Sequence, residues 1–384
     1  MREYRVDLHV HVGYAHAGQV VKIPAGKDLT VRGIVQEVLD RSQVEILGIV
    51  DCGSPLVLED LRELLEAGWG RPLPGGGLCF AERLTVLLGV EVELAVGQGF
   101  AHWLAYFPTL EKLQVFCDRL SPMVTNPNLS TQRVHTSAPQ FAQLVASCQG
   151  ILIPAHIFTP FKSVYGSCGS SIAAAFGSGA QVAAVELGLS ADTDLADQFL
   201  ELHRYTFLSN SDAHSLETIG REYNRCLLDQ PDFTELVRAL ARDKGRRVVG
   251  NFGLDPALGK YHRTFCRECG QIGSEGCHHR RKVQGVYDYI EGMKDLSQPK
   301  HPAFRPPYYY RYPLSYIPGI GAKTRERLLA AFPNEEYILR QATATELTAV
   351  AGNLVARRIL MIREGDFRLQ PGAGGRYGRI LLDV

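Results

Sequence analysis

The 384-residue sequence predicts an α/β fold, a parallel sheet or a βα barrel, followed by a small Cys/His-rich module and a helical C-terminal region. Three observations carry that reading. Strand-like and helix-like runs alternate over residues 1–255. Residues 256–290 are polar and hold a cluster of cysteines and histidines. From residue 314 the helical periodicity is punctuated by glycines and ends in PGAGGRYGRI. The proline- and tyrosine-rich stretch 291–313 reads as a linker into the last region, 314–384.

Taken in order, the strand candidates are YRVDLHVHV (4–12), ILGIVD (46–51), LTVLLGVEVEL (84–94), HWLAYFP (102–108), GILIPAHIF (150–158), VAAVELGL (182–189) and YTFLSNSDAH (205–214). Between most of them lie amphipathic helices, at 29–42, 58–68, 109–121, 137–149 and 194–203. Strands separated by helices over such a length predict parallel neighbours.

Bulk properties narrow the class. Hydrophobic residues make up 45% and charged ones 21%, ordinary for a soluble globular protein. No apolar run has membrane-spanning length and no signal peptide is expected, so a membrane is not an expected partner and the cytoplasm is the expected location. Nine cysteines are an odd number for a disulfide framework. Most, such as Cys117, Cys148 and Cys226, stand alone in apolar segments and read as reduced thiols. The formal charge of zero hides an asymmetry. Residues 256–384 hold 20 Lys and Arg against 12 Asp and Glu, and residues 1–255 hold 21 against 29. That distribution suggests a polyanion-binding appendage on an enzyme-like domain.

The first strand poses the chemical question. Val6, Leu8, Val10 and Val12 alternate with Asp7, His9 and His11. Residues i and i+2 of a strand point the same way, so His9 and His11 can grip one cation. Alone, such a pair is more often a surface or internally satisfied one. The other strand candidates add weight: Asp51 closes GIVD, Glu91 sits in GVEVEL, and His102 opens HWLAYFP. His156 ends ILIPAH, Glu186 lies in AVELGL, and Asp212 and His214 close SNSDAH. In a βα barrel the carboxyl ends of the strands converge on one face. Gathering that many carboxylates and imidazoles there without a cation would be costly.

This constellation resembles the PHP family, the polymerase and histidinol phosphatase metal-dependent phosphoesterases. DLHVH, IVDC, GVEVE, IPAH and SDAH carry the resemblance across residues 1–225. It implies a distorted (β/α)7 barrel holding two or three divalent ions. Carried over, His9, His11, Glu91 and Asp212 hold one metal, and Glu91 bridges to a second held by His102 and His156. His214, with His16 and Cys52, falls near a third. Asp212, Glu91 and Asp51 are the carboxylates the resemblance puts at the chemistry. The family usually writes T-D-H where this chain writes V-D-C, and Cys52 would then serve as a soft ligand. Mixed His and carboxylate ligands suit Zn²⁺ or Mn²⁺ more than Mg²⁺. Such ions supply hydroxide at neutral pH and neutralise a leaving alkoxide.

The C-terminal third directs the choice of phosphoester. Cys266-x2-Cys269-x7-Cys277, followed by His278 and His279, is a structural-zinc spacing. Arg280 stands where a fourth ligand is expected, leaving His279, His278 or His262 to complete the site. The segment IPGIGAKTRERLLAAF reads as the hairpin and second helix of a helix-hairpin-helix. Gly319 and Gly321 let the backbone approach a phosphate, and Lys323 and Arg325 add charge. A weaker second unit surrounds Gly352.

A PHP barrel, a cysteine knuckle and a helix-hairpin-helix, in that order, resemble the endonuclease Q family over nearly the whole chain. The matching segments are IPAHIFTPFKSVYGS, ELGLSADT, FLSNSDAHSLETIGREYN, LGKYHRTFCRECG and IPGIG. The resemblance implies a DNA-repair nuclease that cuts 5′ to a deaminated base (uracil, hypoxanthine, xanthine) or an abasic site and leaves 3′-hydroxyl and 5′-phosphate ends. Its partner is damaged DNA, double- or single-stranded, in a nucleoid-associated setting, with room for a sliding clamp or another repair protein. A phosphatase or exonuclease without lesion specificity is the alternative. Reaching a lesion requires extruding it. The loop after His156 offers Phe161 and Tyr165 for stacking, and Ser163 and Ser167 for reading a base edge.

Overall fold

The computed structural model describes residues 1–176, 182–273 and 275–383. Seven strands form a ring: β1 (Arg2–Val10), β2 (Ile46–Ile49), β3 (Leu84–Val96), β4 (Gly99–Phe107), β5 (Ile151–Pro154), β6 (Val185–Glu186) and β7 (Phe207–Leu208). β1, β2 and β3 pair in parallel, as do β6 and β7. Two single bridges complete the circle. Ala183 N donates to Leu152 O (2.9 Å) beside β5, and Ala213 N donates to His9 O (3.1 Å) on β1. This is the distorted (β/α)7 barrel.

The expected parallel order fails at β4, which is antiparallel to both neighbours. Only a tight turn around Gly97 (φ +55°) joins β3 to β4, which leaves no room for the dozen residues a crossover needs. Among the strands that went unread in the sequence are β8 (Tyr223–Leu228) and β9 (Arg247–Leu254). They extend the sheet beyond β1 in antiparallel fashion. The stretch expected as a linker contributes β10 (Tyr308–Arg311), parallel to β9.

Four expected helices form, three of them capped by a side chain. α1 (Val31–Arg41) starts at Thr30, whose hydroxyl accepts from Gly33 N. It buries Val31, Ile34, Val35 and Val38 at helical spacing. α2 (Pro55–Glu66) begins on a proline at its first position. α3 (Leu110–Leu120) is capped by Thr109, and α4 (Ala138–Ser147) by a Ser137/Gln140 capping box. The helix expected over 194–203 is instead two short turns, Thr193–Ala196 and Leu200–Arg204. Asp197, at the break, is buried and taken by Arg305 (2.7 Å) and His301 (2.8 Å).

One apolar cluster fills the ring with Val6, Leu8, Ile46, Leu87, Leu104, Tyr106, Ile153 and Leu208. A second lies between the ring and its helices. A third gathers Leu314, Ile320, Leu328, Ile338, Leu347 and Ile359 in the C-terminal region. There α5 (Ala322–Ala331), α6 (Glu335–Arg340), α7 (Ala344–Ala351) and α8 (Asn353–Glu364) pack together. This region meets the barrel through ion pairs, Arg5–Glu336 (2.8 Å) and Arg325–Glu217 (2.5 Å). Among the described residues no helix is long and apolar enough to cross a membrane.

Candidate metal centre

At one end of the ring the strand ends bring together two groups of donors, His9, His11 and Asp212, and Glu91, His102 and His156. Within each group the donor atoms lie within 4.8 Å of one another. Glu91 joins the groups. Its Oε1 is 2.9 Å from His102 Nδ1, 3.5 Å from His9 Nε2 and 3.7 Å from His156 Nε2. Asp212 Oδ1 is 3.5 Å from His9 Nε2 and 3.4 Å from His11 Nε2.

Carboxylates behind the imidazoles set their tautomers. His9 Nδ1 meets Glu186 Oε2 at 2.9 Å, and His11 Nδ1 lies 3.1 Å from both Asp51 oxygens. Each Nδ1 faces back onto a carboxylate, so the Nε2 atoms face forward, only 3.2 Å apart. Two imidazole nitrogens set this close together beside two carboxylates leave a place for a cation among them. The donor set therefore fits divalent metal ions. Asp51 thus lies behind His11 and steers it, a different place from the reacting centre where the sequence put it. Glu186, counted among the converging strand residues but given no role in the expected site, does the same for His9. It is held by Asn210 Nδ2 (2.8 Å), and Asn210 is bonded in turn to Asn224.

The backbone is shaped to the same end. Asp212 (φ +46°) and His156 (φ +31°) hold left-handed conformations that L residues rarely adopt. Asp7 accepts from Ser211 N (3.0 Å) and Gly220 N (2.9 Å), fixing both ends of the loop that carries Asp212 and His214. Desolvation in the cleft works against the charge on Asp212, but His9, His11 and His214 outweigh it and hold its carboxyl well below the usual range. Burial likewise opposes the charge on Glu91, and His102 and Lys22 overcome it. Burial and the nearby His11 push His214 down to about 4.

The remaining expected ligands part company. His214 stays at the cleft, its ring 4.5 Å from that of His11. Cys52 is buried in the apolar layer and its thiol donates to Ile49 O (3.3 Å). Burial raises that thiol far above its ordinary range, so it offers no thiolate. His16 is exposed and lines a separate groove with Arg32, Asp60 and Trp69. The loop residues Lys22 and Thr131 reach Glu91 Oε2 instead, at 2.8 and 2.7 Å, and Ser130 bonds Asp51. Nothing in their sequence context marked them.

The loop after His156 divides. Phe161 is 45% exposed and meets Tyr261 edge-on at 5.4 Å, and Ser167 is exposed. Ser163 is fully buried, its hydroxyl donating to Thr159 O. Tyr165 is buried against Phe158 and Phe199, and its hydroxyl donates to Glu201. Both are turned inward here and hold the loop, away from the base-reading position expected of them.

The knuckle assembles. Cys266, Cys269, Cys277 and His279 converge, with sulfurs 3.8 Å apart (Cys269–Cys277) and His279 Nδ1 3.6 and 3.5 Å from Cys266 and Cys277. A tetrahedral zinc with bonds of about 2.3 Å separates its sulfurs by about 3.8 Å. Backbone N–H groups of Cys269 and Glu268 pull the Cys266 thiol down to about 6. Cys266→Ser is expected to cost the full-length protein one zinc equivalent by elemental analysis. Unchanged zinc content would mean that packing alone holds the module.

In the C-terminal region the Pro318–Gly321 turn leads into α5. Gly319 (φ +82°) is closed over by Arg358, which donates to Pro318 O (2.9 Å). The space beside Gly321 is open, and Lys323 is exposed. Arg325 is not free for a phosphate, being paired with Glu217 of the barrel.

Comparison with known proteins agrees with this geometry. Residues 192–244 match the family described as PHP-associated. The Bacillus subtilis protein YqxK is 39% identical over 388 residues, covering 99% of this chain and all of that one. The Methanocaldococcus jannaschii protein MJ0043 is 36% identical over 257 residues, 58% of this chain and 31% of that protein. The crystal structure of the lesion-specific endonuclease PfuEndoQ from Pyrococcus furiosus superposes with a TM-score of 0.82 at 29% identity, covering 99% of this chain and 96% of that one. Endonuclease Q bound to a 27-mer duplex with an abasic lesion at its active site superposes at 0.85, also at 29% identity, covering 99% and 97%. With its barrel, its donor set and its C-terminal modules laid along the same full-length course, the chain belongs to the endonuclease Q family of PHP-domain proteins.

Proposed function

We propose that this protein is a metal-dependent DNA-repair endonuclease that cuts the phosphodiester 5′ to a deaminated base or an abasic site, leaving 3′-hydroxyl and 5′-phosphate ends. The observation that carries the reading is Glu91, a buried carboxylate shared between two sets of converging donors. His9, His11 and Asp212 would hold one divalent ion, and His102 and His156 a second, with Glu91 between them. Ions bound there would supply Lewis-acid chemistry, activating a water and neutralising the departing oxygen. The protein's own groups do the rest. Glu186 and Asp51 keep the two imidazoles in the ligating tautomer. Thr159 Oγ1, 3.0 Å from His156 Nδ1, orients that ring. The open backbone at Gly321 and the exposed Lys323 offer phosphate contacts, which set register without reading sequence. The work belongs in the cytoplasm, on nucleoid DNA.

A nicking assay with Mn²⁺ or Zn²⁺ tests the reading, on duplexes carrying one uracil, one hypoxanthine, one abasic site or no lesion. Cleavage is expected only next to lesions. Equal cutting of undamaged DNA, or release of phosphate from its ends, would instead indicate an unspecific nuclease or phosphatase. Phe161→Ala sharpens the test. Losing a stacking partner costs roughly 1–3 kcal/mol, about tenfold to a hundredfold in rate at uracil. An abasic site has no base to stack, so its cleavage should fall far less. Equal losses on both substrates would remove Phe161 from base recognition.

A further inference from the structure

We propose that Lys22 supplies, as a fixed ammonium, the third cationic group of the barrel site, so that the barrel holds two divalent ions and no third. The inference rests on the two-ion reading above. Lys22 follows β1 in a loop pinned back to Gly13, with Val21 N and Lys22 N donating to Gly13 O at 2.8 and 3.2 Å. Its side chain is only 11% exposed. A lysine is rarely so enclosed unless it is paired. Its Nζ donates to Glu91 Oε2 (2.8 Å) and to Thr131 Oγ1, and lies 3.4 Å from His11 Nε2. The head group therefore touches the carboxylate that joins the two donor sets.

The ligands that would hold a third ion are dispersed. Cys52 faces the apolar layer, and His16 faces a groove of its own. His214 alone remains, beside Asp212 Oδ1 at 3.6 Å. One imidazole and a carboxylate already committed elsewhere do not make a site. Charge favours the same outcome. Glu91, Asp212, Asp51 and Glu186 bring four negative charges, which two divalent ions balance. The ammonium leaves one positive charge over, matching a single phosphodiester. Lys22 is thus a positioning residue: it fixes Oε2 of Glu91 and leaves Oε1 toward His9, His102 and His156.

Metal counting tests this. The full-length protein, stripped and reloaded with Mn²⁺, is analysed for Mn and Zn separately, so that zinc in the knuckle is not counted. The wild type is expected to hold two Mn per chain. Lys22→Asp, which adds a carboxylate beside Glu91 and Asp212, is expected to hold three. Three Mn in the wild type would overturn the proposal, because an ion would have displaced the ammonium. Two Mn in both proteins would also overturn it, since lysine and ion would not compete for one place. Fewer than two in the wild type would remove the two-ion reading itself. If Lys22→Asp does not fold, Lys22→Met serves. It is expected to keep two Mn while nicking about tenfold more slowly, and unchanged nicking would overturn the positioning role.

Discussion

Asp212→Ala and His9→Ala are each expected to slow nicking by about a thousandfold or more while DNA binding stays nearly intact. Both side chains belong to the first donor group, and their donor atoms lie 3.5 Å apart. Losing either would leave too few ligands for an ion held there. An ion in this role contributes several kcal/mol of transition-state stabilisation, and about 4 kcal/mol corresponds to about a thousandfold. Binding should persist because the phosphate contacts are assigned to the C-terminal region, far along the chain from β1. Single-turnover nicking, elemental analysis and a gel-shift titration on one abasic duplex together make the check. Turnover near the wild-type rate in either variant would remove that residue from the metal assignment. Lost binding with retained metal would move the DNA contacts to the cleft instead.

What the sequence made legible is what the strand period exposes. His9 and His11 alternate with apolar residues, and Glu91, His156 and Asp212 break otherwise apolar runs, so their convergence could be read without coordinates. Roles were less legible than positions. Asp51 and Glu186 look like ligands on paper, yet each lies behind an imidazole and aims it. Cys52 adjoins Asp51 in the chain, but it turns into the apolar layer while Asp51 turns to His11. Lys22, Ser130 and Thr131 come from loops, where no periodicity says which way a side chain will point. The hairpin between β3 and β4 was missed for a different reason. Alternation of strands and helices along the chain fixes the layers, but the length of each connection decides direction, and here the connection is a turn. Arg325 shows the limit of a charge-based reading. A basic residue in the first turn after IPGIG reads as a phosphate contact, and the barrel's Glu217 takes it. A pairing between regions more than 100 residues apart leaves no local trace.

Tyr165→Ala is expected to destabilise the protein by about 3–5 kcal/mol, the cost of deleting a buried aromatic side chain. Tyr165 is 4% exposed and packs against Phe158 and Phe199 at ring distances of 5.4 and 5.6 Å. Its hydroxyl donates to Glu201, whose other oxygen accepts from Ala173 N (2.7 Å). The side chain thus ties the loop after His156 to the helical turn at 200–204. Removing it opens a cavity and also leaves a carboxylate short of a donor. Tyr165→Phe keeps the packing and loses only the hydrogen bond, so its cost should be about 1–2 kcal/mol. Chemical denaturation of the three proteins gives the ladder. At temperatures where Tyr165→Ala is still folded, nicking at uracil and at an abasic site should fall by the same factor, because the loss reaches the chemistry through the loop that positions His156. The contrast with Phe161→Ala is the discriminating result. A Tyr165→Ala protein of normal stability that nicks abasic DNA well and uracil poorly would put the tyrosine in the base pocket, and would require this loop to rearrange when DNA binds.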